Sequence, residues 1–102
     1  MVALDLLASI ISATRKSKSV REEQHSIEEL ESLAVSRSPK GKMFWERLSR
    51  TETINVIAEC KRRSPSKGLL TTSYDLVGLA TEYEDHGAAA VSVLTEPTFF
   101  DG

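Results

Sequence analysis

The sequence predicts an α/β fold with a βαβ unit in its second half, and three stretches predict it. The first, Ile54 to Lys61, is a short apolar run that breaks at Ser64-Pro65, where proline lacks an amide donor and biases the residue before it toward extended backbone. The second, from Ser73 or Asp75 to His86, sets Leu76, Leu79, Ala80 and Tyr83 at spacings of three and four, the stripe of an amphipathic helix. The third, Ala88 to Thr95, is an uninterrupted small and branched run, the pattern of a strand buried on both faces as in parallel sheets. Strand, loop, helix and strand in that order supply the crossover that parallel strands require.

Composition bounds the rest. With 102 residues, 40% hydrophobic and 27% charged, the chain is ordinary globular material for one small domain at most. A net charge of -2 argues against a general nucleic-acid binder. Cys60 is the single cysteine, so neither an intrachain disulfide nor a multi-cysteine zinc site can form, and a reducing, cytoplasmic setting is expected. In the opening segment Asp5 interrupts the apolar run and basic residues follow it rather than precede it, so a helix is expected there and not a leader. No stretch reaches the roughly 20 apolar residues that span a bilayer, and no membrane partner is expected.

In chain order, Leu4, Leu7, Ile10, Ile11 and Thr14 form the stripe of a helix from Leu4 to Arg21. Its charged second half, with almost no stripe, is expected to project into solvent or fray. Ser26 opens a second helix, with Glu29 completing a capping box and Ile27, Leu30, Leu33 and Ala34 forming a face. Ser36 to Lys42 carries Pro39 and Gly41 and reads as a loop. Met43 to Leu48 reads as a short helical turn, with Trp45 expected to pack the N-terminal segment against the strand-bearing half of the chain. Gly87 stops the helix that ends at His86, and Pro97 ends the second strand.

Chemistry concentrates at the end of the first strand. Alternation puts Ile57, Glu59 and Lys61 on one face and Val56, Ala58 and Cys60 on the other. A carboxylate and an ammonium then stand side by side at the strand's carboxyl end, beside the polar loop Ser64-Pro65-Ser66-Lys67-Gly68. Taken alone, such a pair is equally a solvent-facing ion pair worth little in stability. The loop lacks the glycine spacing of a nucleotide-phosphate loop. The basic run Lys61-Arg62-Arg63 fits a solvated edge better than a nucleic-acid patch. Cys60, on the opposite face, is expected to be a small buried residue against a helix.

These residues carry a family resemblance. Ile57-Ala58-Glu59-Cys60-Lys61-Arg62-Arg63-Ser64-Pro65-Ser66-Lys67-Gly68, Tyr74-Asp75, Tyr83 through Glu96, and Phe99-Phe100-Asp101-Gly102 together resemble the indole-3-glycerol phosphate synthases of tryptophan biosynthesis. The match is close over residues 54–102 and loose before them. Cys60 stands where an aliphatic residue is usual in the family, and Leu76 where proline is frequent. The resemblance implies a (β/α)8 TIM barrel, for which roughly 250 residues is typical. This chain would supply a helical extension (residues 1–50) and an incomplete barrel of strand one, helix one and strand two (residues 51–102).

The resemblance also implies the chemistry: a lyase that closes an indole ring on a phosphorylated arylamino-deoxyribulose with loss of carbon dioxide and water, needing no cofactor and no metal. It casts Glu59 and Lys61 as catalytic, with Lys61 an electrostatic anchor. By the same resemblance, Ser64, Pro65 and Ser66 are expected to line the substrate and Phe100 to lie against its ring, and the principal general-acid lysine and a further glutamate are expected on later strands. Fusion or association with other tryptophan-pathway enzymes is a further expectation. The close at Phe99-Phe100-Asp101-Gly102, without a closing helix, leads to the expectation of a larger α/β domain of which this is the first part, inactive by itself. Two other classes stay open on the sequence: a different phosphate-binding barrel of amino-acid biosynthesis, and a non-catalytic module acting through the helices of residues 4–35.

Overall fold

The computed structural model describes residues 5–102, in two compact units divided between Pro39 and Lys40. The first holds two helices, α1 (Leu6–Gln24) and α2 (Ile27–Val35). The expected start at Leu4 lies outside the described residues. Asp5, read from sequence as an interruption, is the cap of α1: its carboxylate accepts from the Ala8 amide at 3.0 Å. The charged second half does not fray. It continues the helix to Gln24, with Lys18 and Glu22 one turn apart at 3.1 Å, the spacing at which opposite charges stabilise a helix. The capping box of α2 forms as its sequence requires: the Ser26 hydroxyl accepts from the Glu29 amide and the Glu29 carboxylate from the Ser26 amide.

The second unit begins with α3 (Gly41–Leu48), which starts two residues before the expected Met43. The strands are β1 (Ile57–Cys60), β2 (Arg63–Ser64), β3 (Gly68–Leu69) and β4 (Ala90–Val93); the remaining helices are α4 (Leu76–Asp85) and α5 (Pro97–Phe100). β1 and β4 pair in parallel with Ile57, Ala58, Glu59 and Cys60 opposite Ala90, Val91, Ser92 and Val93. The βαβ unit expected from the sequence is therefore present, with α4 as its crossover. Both strands are shorter than their apolar runs. Before β1, Asn55 turns its side chain back to the Leu48 and Arg50 carbonyls at 3.1 and 2.8 Å, so the chain enters the ladder only at Val56, whose carbonyl accepts from the Ala89 amide.

Partners in a parallel register share a face, so Ala58, Cys60, Val91 and Val93 look one way and Ile57, Glu59, Ala90 and Ser92 the other. α4 packs on the first face. Asp75 caps it, its carboxylate accepting from the Gly78 amide at 3.1 Å. At its other end the Ala88 amide reaches the Tyr83 carbonyl and the Gly87 amide the Glu84 carbonyl, the paired bonds of a Schellman stop. Cys60 is fully buried on this face, as its alternation required.

Two expectations are corrected. β4 is not covered on both sides: Val91 and Val93 remain 36% and 41% exposed, and Ile57 on the opposite face 58%. One helix shields only part of one face of a two-stranded sheet. Trp45 does not anchor its segment either. It is 69% exposed, while its neighbours Met43, Phe44 and Arg47 border Ala89, Ala90 and Val91, and Arg47 reaches Glu84 at 3.7 Å. Phe44 and Arg47, three apart, share that face and Trp45 lies off it. Among the described residues no helix is long and apolar enough to cross a membrane.

Only Cys60 and Ala89 are buried hydrophobic residues in the described structure, far short of a core able to offset backbone ordering. Urea denaturation of the 102-residue chain is expected to give a shallow, poorly cooperative transition. A steep two-state transition with a slope normal for its size would contradict this.

Candidate active site

Parallel pairing brings the carboxyl ends of β1 and β4 to one edge, and the candidate residues gather along it. The Glu59 carboxylate lies 3.1 Å from the Lys61 ammonium, with side chains 42% and 34% exposed. The register sets Ser92 opposite Glu59, and the Ser92 hydroxyl donates to the second carboxylate oxygen at 3.5 Å. The carboxylate is thus held from both sides on the uncovered face of the sheet. Behind it, the Tyr83 hydroxyl donates to the Glu59 carbonyl at 3.4 Å, which fixes the strand end against α4.

The segment read as a plain polar loop is a small antiparallel hairpin, with Arg63 opposite Leu69 and Ser64 opposite Gly68. Pro65 supplies the preset φ of a turn, and Gly68 takes a φ of 65°, the left-handed backbone that ends a three-residue hairpin loop. The Leu70 amide closes the hairpin on the Arg62 carbonyl at 2.8 Å. Ser64 is buried, its hydroxyl accepting from the Lys67 amide at 3.3 Å and lying 3.5 Å from the Ser66 hydroxyl. Pro65 and Ser66 are exposed at the tip. Two-residue strands leave no alternation to read, which is why periodicity missed them.

After β4 the chain forms α5, one turn that packs on β2 and carries the half-buried Phe100. Its cap is Glu96, whose two carboxylate oxygens accept from the Thr98 and Phe99 amides at 2.8 and 2.7 Å, with Pro97 at the first helical position. The acid-proline pair was a legible start signal, but Pro97 was read only as a strand terminator. Beyond α5, Asp101 adopts left-handed backbone and its carboxylate meets Arg63 Nε at 3.2 Å and the Arg62 guanidinium at 3.8 Å. The Gly102 amide donates to the Glu96 carbonyl at 3.0 Å, and a Cβ at Gly102 would overlap the Thr95 backbone.

The structure therefore unites Glu59 with Lys61, Ser64 with Ser66, and the helix bearing Phe100 with the strand bearing Ser64. Among the described residues no hydrogen bond or ion pair joins the Glu59–Lys61 pair to Ser64. Ser92, Glu96 and Asp101 were not singled out from the sequence. A serine inside an otherwise apolar strand was the available signal for the first, and nothing local marked the last. No group of three or more His, Cys, Asp or Glu side chains suited to a metal occurs among the described residues. A groove of about 490 Å³ beside α1 and α2, lined by Lys18, Arg21, His25 and Leu30 among others, carries none of the candidate residues.

Two ionisable groups depart from their ordinary values. Loss of solvent pushes the Glu96 carboxyl up, but the Phe99 and Thr98 amides together outweigh it and hold it below the usual carboxylate range. Tyr74 is raised, first by loss of water and then by the neighbouring Cys60 and Tyr83; its buried hydroxyl has no hydrogen-bond partner among the described residues.

Residues 7–102 match the family described as indole-3-glycerol phosphate synthase. The chain belongs to that family. Among its curated relatives, the indole-3-glycerol phosphate synthase of Lachnoclostridium phytofermentans is 49% identical over 70% of this chain and 25% of its own length. Those of Aliarcobacter butzleri and Parafrankia sp. are 37% and 43% identical over 95% and 97% of this chain, and 38% and 36% of their own lengths. The chain thus spans between a quarter and two-fifths of the length of these three relatives. The family match begins at residue 7, so it takes in the helices before the first strand as well as residues 54–102.

The Glu96 cap gives a pH test. Because its folded pKa is lowered, its stabilisation is complete above the ordinary carboxylate range and is lost as pH falls through the lowered value. Amide shifts of Thr98 and Phe99 followed by NMR should report one transition below that range, absent in Glu96→Gln. A transition at or above the ordinary range would contradict the assignment.

Proposed function

We propose that this chain is the strand-one to strand-two corner of a (β/α)8 indole-3-glycerol phosphate synthase, with residues 1–50 as a helical extension and 51–102 as the first βαβ portion of the barrel. The reaction is the decarboxylating ring closure of 1-(2-carboxyphenylamino)-1-deoxyribulose 5-phosphate to indole-3-glycerol phosphate. The aryl carbon bearing the carboxylate bonds to the keto carbon, whose oxygen takes a proton. Carbon dioxide leaves, its bonding electrons returning to the ring. Loss of the new hydroxyl as water, with the proton on the adjacent carbon, completes the indole.

The observation that carries this reading is the Glu59–Lys61 pair, 3.1 Å apart on an uncovered sheet face at the strand's carboxyl end, the end at which barrels of this class place their chemistry. Lys61 offers fixed positive charge to the anionic substrate and to the developing alkoxide. Glu59, braced by Ser92, holds Lys61 in place and is positioned to move a proton. Ser64, Pro65 and Ser66 form one wall of the substrate site, and Phe100 packs on the aryl ring. The general acid that protonates the keto oxygen comes from a later strand of the barrel. Cytoplasmic location and association with neighbouring enzymes of tryptophan synthesis belong to the same reading.

The test is a graft in which residues 54–102 replace the matching segment of the Aliarcobacter butzleri relative. The graft should close the indole ring, with Lys61→Ala or Glu59→Gln lowering kcat by about 100-fold or more, the scale of a lost acid–base or oxyanion group. Residues 1–102 alone should give no product. A folded graft without activity, or one indifferent to both substitutions, would sink the proposal.

A further inference from the structure

Two loops leave the same edge of the sheet, and one carboxylate joins them. The β2–β3 hairpin follows β1, and α5 follows β4. Asp101, the residue after Phe100, meets Arg63 Nε at 3.2 Å and the Arg62 guanidinium at 3.8 Å, and its side chain is 24% exposed. Arg63 is the residue before Ser64. The carboxylate does not reach the hairpin by chance rotation of a free tail. Its backbone is held left-handed with a φ of 54°, α5 before it is fixed by the two Glu96 bonds, and Gly102 after it sits against the Thr95 backbone, where no side chain fits. Backbone on both sides of Asp101 is thus committed before the ion pair forms, so little ordering entropy opposes it.

We propose that Asp101 is a positioning residue, a clamp that sets the β2–β3 hairpin against the turn after β4 so that Ser64 and Phe100 form a single wall for the arylamino substrate. This rests on the proposed function for the roles of Ser64 and Phe100, while the clamp itself rests on the ion pairs and backbone just described. The basic run Arg62-Arg63, a solvated edge by its sequence, acquires a specific partner in Asp101.

Asp101→Asn is the informative change, because asparagine tolerates left-handed backbone and keeps the size while removing the charge. Arg63→Gln removes the other partner. In the folded graft, hydrogen exchange at the Leu70 amide, which closes the hairpin, should accelerate in each variant. In the active graft, each single substitution should raise KM about fivefold with kcat and its pH profile little changed, and the double variant should be no worse than the poorer single one, as expected for two groups acting through one interaction. Unchanged Leu70 exchange in Asp101→Asn would overturn the clamp whether or not the graft is active. Faster exchange with unchanged KM in an active graft, or effects that multiply in the double variant, would overturn its positioning role. An inactive wild-type graft would strike at the proposed function alone, and exchange would still decide the clamp.

Discussion

Four register positions of parallel pairing, Ile57–Cys60 against Ala90–Val93, determine where the candidate side chains stand. A parallel ladder brings like ends together, so the segments that leave both strands emerge at one edge. That single constraint sets Ser92 opposite Glu59, starts the hairpin and α5 as neighbours, and puts Arg63 within reach of Asp101. A shift of one residue would turn Glu59 toward α4 and Cys60 toward the open face. The fully buried thiol and the half-exposed carboxylate are therefore two consequences of the same register.

The second constraint is the shortage of cover. Two strands and one crossover helix leave a face of the sheet open and leave Val91 and Val93 half in solvent. The relatives are longer than this chain by more than half of their own length, and in the barrel proposed above further strands and helices would close both faces. The open face that makes the unit marginal by itself is the face that carries Glu59, Lys61 and Ser92. Local order comes instead from backbone bonding at the element ends: the Asp75 cap and Schellman stop of α4, the Asn55 tie to α3, and the Glu96 cap of α5.

Patterns with a long reach in sequence were legible. The stripe of α4, the strand alternation that joins Glu59 to Lys61 and hides Cys60, and the capping box at Ser26 each follow from one periodicity or one cap. What escaped was either very short or made by tertiary contact. Two-residue strands and a one-turn helix offer no period, although Glu96-Pro97 announced the latter. Asp5 was misread because an acid inside an apolar stretch signals an interruption as easily as a cap. The tie from Asp101 to Arg62 and Arg63 crosses from one loop to another, and no local pattern encodes it. Strand lengths were overread because an apolar run sets an upper limit, while the partner strand sets the ladder.

The central claim is that the edge formed by β1 and β4 is a substrate wall with Lys61 as its fixed charge. It is tested most directly by a crystal structure of the graft with a reduced substrate analogue whose keto group is an alcohol and cannot cyclise. The account predicts the Lys61 ammonium within hydrogen-bond distance of an analogue oxygen and the Phe100 ring in contact with the aryl group. An analogue bound elsewhere in the barrel, with Lys61 and Glu59 paired only to each other, would contradict it.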